Sequence, residues 1–265
     1  MPTDIDLPTD AQHYIGEIEQ FGPTDNAYLS GHFRRFIGTF RQFSNYWNRD
    51  TNAHVLDIGA HWLHQSVLFA RAGFRVTAAD FAATLELDAV KALARHHSID
   101  LLTFEEIHSG KAFEAIPDDS IDVVLFTEIL EHITFNPIAF WKAVYRMLRP
   151  KGRIIVTTPN FYAAGRRAWQ WKRFLTGFGA GIDINEILQT PTYGHHWKEF
   201  SRREICHYFC ALSPDFHIHR AIEVDSGFRE PGSRLARLLR FRLPQIYCEV
   251  DLPQKNSGIV IEPHW

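Results

Sequence analysis

From Ala27 to Trp47, apolar residues including Leu29, Phe33, Phe36, Phe40, Phe43 and Trp47 recur at spacings of three and four. That period predicts a helix with one buried stripe, placed as a cap on the core. The preceding stretch, Pro2 to Pro23, mixes Thr, Asp, Pro and Gly without a period and predicts a loose lead-in. After Asn52 the pattern changes. His54 to Gly59 is a short apolar strand ending in Asp-x-Gly, Gln65 to Ala72 returns to helical spacing until Gly73, and Phe74 to Asp80 is a second strand ending in an acid. Strand, helix and strand in this order predict a right-handed βαβ unit with parallel neighbours.

The alternation continues with a helix over Leu85 to His97, a buried strand over Ile121 to Phe126, and a helix over Pro137 to Leu148 with Pro at its first turn. A Pro150-Lys-Gly152 turn leads into a strand over Arg153 to Thr158. Phe161 to Phe200 breaks the rhythm with aromatic, Gly and basic residues and predicts an inserted lid. Ser201 and Glu204 form a capping-box pattern opening a helix through Leu212. Phe216 to Val224 and Gly258 to Pro263 are β-rich and fit an antiparallel pair at the edge of a parallel sheet, separated by an arginine-bearing helical segment from Ser233 to Leu243. The organisation predicted is a lead-in and helical cap over 1–50, a nucleotide-binding α/β core over 51–160, a lid over 161–200, and a helix with antiparallel strands over 201–265.

Composition narrows the function. With 265 residues and 45% hydrophobic content the chain can bury one large core. A formal net charge of −3 gives no global reason to bind nucleic acid. Three cysteines suit a reducing cytoplasm better than a disulfide framework. The polar, acidic start is unlike a signal peptide, and no apolar run is long enough for stable membrane insertion.

The chemistry begins at the first strand. Asp57, Gly59 and Asp80 form the turn and terminal acid of a nucleoside-binding βαβ unit, in which Asp80 can accept from two ribose hydroxyls; the plainer role for Asp80 is to cap the next helix. Val55-Leu-Asp-Ile-Gly59, Asp80, Ser120-Ile-Asp-Val-Val-Leu125, Glu128-Ile-Leu-Glu-His-Ile133 and Leu148-Arg-Pro-Lys-Gly-Arg153 follow one another in the order of a known set of motifs. Over roughly residues 51 to 160 the chain resembles the class I S-adenosylmethionine-dependent methyltransferases, of the small-molecule type. The resemblance implies a doubly wound, mostly parallel seven-stranded sheet with a C-terminal antiparallel hairpin. It also implies S-adenosyl-L-methionine at the strand C-termini and methyl transfer to a small-molecule nucleophile. On it, Asp57, Gly59, Ala60, His61, Trp62, Asp80, Phe81 and Glu128 are the expected cofactor residues.

Two departures stand out. Where relatives carry further glycines, this chain reads Gly59-Ala-His-Trp-Leu-His64, with His61 and Leu63 at the glycine positions. The residue expected against adenine falls near Ser109 and Gly110. A hydroxyl acceptor needs its proton removed, and His132, His195 and His196 are the candidate catalytic residues. Glu128 and Glu131 are both candidates for the pocket; carboxylates on a short segment are more often solvated, and only Glu128 is assigned to it. Among 15 histidines, His195, His196 and His207 could approach one another, but their spacing is not diagnostic, no His-Glu-x-x-His or paired Cys-x-x-Cys occurs, and no metal is expected.

Trp169, Trp171, Phe174 and Phe178, among Arg166, Arg167, Lys172 and Arg173, either cover the acceptor or pack on the core. Leu235, Leu238 and Leu239 with Arg234, Arg237, Arg240 and Arg242 form a basic amphipathic helix expected to pack on the sheet. The reading is an O-methyltransferase acting on a small molecule or a saccharide- or lipid-linked metabolite. The altered glycines keep open a catalytically silent binding protein, or an enzyme that uses S-adenosylmethionine for aminopropyl transfer or cyclisation.

Overall fold

The computed structural model describes residues 7–47, 52–177, 181–233, 235 and 238–263. Among them, strands β1 (His54–Ile58), β2 (Arg75–Phe81), β3 (Asp100–Phe104), β4 (Ile121–Thr127), β5 (Leu148–Pro159), β6 (His217–Val224) and β7 (Gln245–Leu252) form one sheet in the order β3-β2-β1-β4-β5-β7-β6. β3 to β5 are parallel, and β7 runs antiparallel to both β5 and β6. This is the doubly wound sheet with a terminal antiparallel hairpin.

Alternation along the strands decides which helices pack where. Val55, Val123 and Leu125 join the core on one face, while Leu56, Ile58, Val124 and Phe126 join the core on the other. Both faces are therefore buried, as a parallel sheet requires. The first face is covered by α1 (Ala11–Glu19), α2 (Asn26–Tyr46), α3 (His64–Arg71) and α5 (Asp88–His97), and the second by α6 (Ile138–Met147) and α9 (Arg202–Leu212). α9 starts in the expected capping box, with Ser201 Oγ accepting from Glu204 N and Glu204 accepting from Ser201 N.

Four expectations are corrected. The lead-in contains a packed element: α1 is N-capped by Asp10 and buries Tyr14, Ile15 and Ile18, and the Tyr14 hydroxyl donates to the His64 carbonyl at 2.7 Å. The helix expected over Leu85 to His97 starts three residues later, as α5 (Asp88–His97), because a separate short helix, α4 (Ala82–Leu85), ends just before it. The last strand is β7, not 258–263; that segment is non-strand chain tied down where Gly258 N donates to Asp215 Oδ2 at 3.3 Å and Val260 N to the Leu212 carbonyl at 3.0 Å. Leu235 and Leu238 stand about 70% exposed, so they do not pack on the sheet. Arg234, Arg237 and Phe178 lie outside the described residues. No helix among the described residues is long and apolar enough to cross a membrane.

Candidate active site

The site is built at the C-terminal edge of the parallel strands. Gly59, at the end of β1, has φ +76°, a backbone that favours glycine, and a Cβ there would also push aside the Ile129 side chain, whose Cδ1 would lie 2.2 Å away. His61 and Leu63 hold φ of 49° and 64°, the left-handed values that glycine adopts without penalty. Other contacts offset the strain. His61 N donates to Asp80 Oδ2 at 2.6 Å, Leu63 N donates to the Ala60 carbonyl at 2.8 Å, and the Leu63 side chain is fully buried. From below, Ser66 Oγ donates to Asp57 Oδ2 at 2.6 Å and ties α3 to β1.

Asp80 ends β2 with each oxygen already accepting one backbone N–H, Oδ2 from His61 and Oδ1 from Phe81 at 2.6 Å. A carboxylate oxygen has two lone pairs, so each keeps one for a further donor. Burial raises the Asp80 pKa and those two bonds oppose the rise. Burial pushes Asp57 further, to about 7, with the Ser66 bond lowering it and the Asp80 charge raising it. Two acids thus sit side by side in a water-poor turn.

From α2, Tyr28, Arg35 and Phe36 close over this turn. The Tyr28 ring lies 4.6 Å from that of His61, and its hydroxyl accepts from Arg35 Nη2 at 2.9 Å. The cavity left between α2 and the turn is only about 20 Å³, yet polar atoms line it without partners: Asp57 Oδ1, His61 Nδ1 and both ring nitrogens of His64. Burial holds the His64 imidazole neutral, lowering its pKa to about 3. Ala60 lines the cavity, whereas Trp62 is not among its lining residues and packs against the core. The Phe81 ring meets that of Phe104 edge-on at 4.9 Å and that of Tyr193 at a tilt at 5.1 Å.

Across the turn, Glu128 follows β4 with φ 57° and pairs with Arg35 at 3.4 Å, both side chains mostly buried. Glu131, three residues on, is fully buried: Thr158 Oγ1 donates to its Oε2 at 2.8 Å, while Oε1 has no partner. Burial, then the Glu128 charge, raises its pKa well above the ordinary carboxylate value. The His132 and His196 rings meet edge to face at 4.6 Å. Burial and then the His196 charge lower the His132 pKa to about 4. His195 is turned away: its Nε2 meets the carbonyl of Glu186 at 2.9 Å, on α8 (Ile184–Gln189), and its own carbonyl meets His132 Nδ1 at 3.0 Å.

The structure thus gathers Asp57, Gly59, Ala60, His61 and Asp80 at one turn, with Glu128, His132 and His196 beyond it. Tyr28, Arg35 and His64, which carry no site signal in the motifs, join them, as does Glu131, a candidate left unassigned beside Glu128. A signal existed for Arg35, which stands seven residues after Tyr28 on the apolar face of α2 and needs an acid there. None existed for Glu131, whose burial comes from Thr158 and from the chain near Trp197.

Residues 28–212 match the family described as methyltransferase domain. The chain belongs to the S-adenosylmethionine-dependent methyltransferases. Curated relatives include ubiquinone biosynthesis O-methyltransferases of Xanthomonas oryzae pv. oryzae and Xanthomonas campestris pv. campestris, each 34% identical over 150 residues. The match covers 56% of this methyltransferase and 56% of each relative, so the chain spans about half the length of the curated relatives it matches. A methyltransferase from Methanosarcina mazei superposes with TM-score 0.56 at 16% identity, covering 81% of this chain and 98% of that one. One from Aquifex aeolicus gives 0.54 at 10% identity, covering 89% and 97%. These two likenesses concern the fold.

The methyltransferase turn fits its cofactor by chemistry. Asp80 offers free lone pairs to a pair of hydroxyls, Arg35 is a buried cation within reach of the turn, and the orphaned atoms of Asp57, His61 and His64 call for a polar partner. Space is the outstanding term. A cavity of about 20 Å³ holds about one water, too little for the methionine part of the cofactor with the Tyr28 and His61 rings where they stand.

Proposed function

We propose that this methyltransferase transfers a methyl group from S-adenosylmethionine to a hydroxyl oxygen of a small molecule or of a saccharide- or lipid-linked metabolite. The observation that carries the reading is the pairing of a ribose-type acid, Asp80, hydrogen-bonded to the β1–α3 turn, with an imidazole pair, His132 and His196, beyond β4. The O-methyltransferase names of the curated relatives support oxygen as the acceptor.

The bound cofactor supplies a methyl on a sulfonium, a leaving group that needs no protonation. The protein's share is alignment and exclusion of water, which account for most of what such a transfer needs. Asp80 would take the ribose hydroxyls, with Phe81 beside it. Gly59, Ala60 and His61 would line the methionine side, and Arg35, freed from Glu128, would pair with its carboxylate. His132 and His196 would face the acceptor and steer its hydroxyl proton. The described residues 161–177 and 181–200 would act as a cover, their Trp169 and Trp171 being half exposed and so available to an incoming ligand.

Incubation with methyl-labelled S-adenosylmethionine and a panel of hydroxyl, amine and thiol acceptors tests this. Label on hydroxyl acceptors alone, lost in His132→Ala, supports it; label only on amines or thiols contradicts it. The closed cavity favours a second reading, a binding protein that keeps the family fold without turnover. That reading predicts ligand binding with no label transferred to any acceptor.

A further inference from the structure

Glu131, His132 and His196 each offer one ligand-type atom, and these atoms all lie within 4.8 Å of one another. The atoms are pre-set for that role. Thr158 occupies Glu131 Oε2 and leaves Oε1 buried and unpartnered, 4.0 Å from His132 Nε2. The His195 carbonyl can only accept, so it fixes the His132 proton on Nδ1 and leaves the Nε2 lone pair free. Trp197 N donates to the Glu131 carbonyl at 2.8 Å, fastening the segment that carries His196 to the one that carries Glu131. Arg166, the guanidinium close to His196, is paired with Glu199 at 3.2 Å, and Arg35 with Glu128.

Neither protonation state satisfies Glu131 Oε1 by itself. Ionised, it is a buried charge without a counter-ion, which costs several kcal/mol by order of magnitude. Protonated, its hydroxyl would need an acceptor, and His132 Nε2 at 4.0 Å is beyond hydrogen-bond reach. A cation bridges that gap, since two ligands bonded at about 2.1 Å stand about 3 to 4 Å apart.

We propose that Glu131 Oε1, His132 Nε2 and the His196 imidazole bind one divalent transition-metal cation. Two imidazoles and one carboxylate select the class: Zn²⁺, Co²⁺, Mn²⁺ or Fe²⁺ rather than Mg²⁺ or Ca²⁺, which prefer oxygen throughout. Three protein ligands leave coordination positions open, as catalytic metal sites do. Resting on the O-methyltransferase reading, the site's role is to bind the acceptor hydroxyl and lower its pKa, so that His132 and His196 steer the proton through the cation they hold.

The test is titration of the whole apo-protein with Co²⁺, followed by visible d–d absorption, and equilibrium dialysis against Zn²⁺ and Mn²⁺. One ion per chain is expected. His196→Ala, at a half-buried position, should weaken binding at least tenfold while leaving the melting temperature close to wild type, and His132→Gln should do the same. Asp80→Asn should bind Co²⁺ as wild type does, since it alters only the cofactor side. A folded wild-type protein that binds none of the three ions at millimolar concentration, or a His196→Ala protein that binds Co²⁺ unchanged, overturns the site. Metal binding without S-adenosylmethionine binding would keep the metal and remove the methyltransferase role; the reverse result removes only the metal.

Discussion

Asp80 Oδ2 accepts the backbone N–H of His61 at 2.6 Å, so the acid at the end of β2 also holds the turn whose glycines are missing. One side chain thereby serves fold and site together. Asp80→Ala loses both backbone bonds and should lower stability as well as abolish S-adenosylhomocysteine binding. Asp80→Asn keeps one acceptor oxygen, so it should remain folded and lose about ten- to a hundredfold in affinity, the worth of charge-assisted bonds to hydroxyls. Thermal melting and calorimetric titration of both variants separate the two effects; equal affinity in Asp80→Asn and wild type would remove the ribose role.

His61 and Leu63 share a left-handed backbone but predict opposite outcomes on change to glycine. Relief of the backbone strain is worth about 1 to 2 kcal/mol at either position. At His61 the substitution also vacates the space beside Tyr28, so His61→Gly should bind S-adenosylhomocysteine several-fold more tightly. At Leu63 it removes a fully buried side chain, a loss of about 2 to 5 kcal/mol that outweighs the relief, so Leu63→Gly should be less stable in urea.

Arg35 and Glu128 neutralise one another beside the turn. If Arg35 pairs with the cofactor's carboxylate, Arg35→Gln should weaken S-adenosylhomocysteine at least tenfold. The same variant should bind 5′-methylthioadenosine, which lacks that carboxylate, as wild type does. Equal weakening of both ligands would place the effect on folding of α2 instead.

Asp57 gives stability a pH dependence. Its unfolded pKa is the ordinary 3.8 and its folded pKa about 7, raised by burial. Between those values the folded state holds the extra proton, so stability is full below about 4, falls as pH rises to about 7, and is level above. The slope is about 1.4 kcal/mol per pH unit. Asp57→Asn, which can still accept from Ser66, should flatten this window when urea unfolding is compared at pH 4.5 and pH 7.5. An unchanged slope would show that Asp57 is not the group responsible.

The elements legible in the sequence are those whose signal is local. α2 carries a 21-residue apolar stripe, and Ser201 with Glu204 caps α9 within one turn. α1 and β3 were missed because theirs is not. α1 has nine residues and is held by Tyr14 reaching His64, fifty positions away, and β3 is a five-residue edge strand only partly buried. The site divides likewise. Asp57, Gly59 and Asp80 follow from strand ends, whereas nothing local assigns Glu131, because Thr158 and the Trp197 backbone, which enclose it, come from distant chain. His195 and His196 are adjacent in sequence, yet the bond from His195 to Glu186 turns one ring from the site and leaves the other facing His132.

The most direct test of the central claim is calorimetric titration of the folded wild-type protein with S-adenosylhomocysteine. The account predicts one site per chain with a dissociation constant in the micromolar range, and an upward shift in melting temperature. Absence of both heat and shift, in protein whose circular dichroism and cooperative melting show it folded, would contradict it.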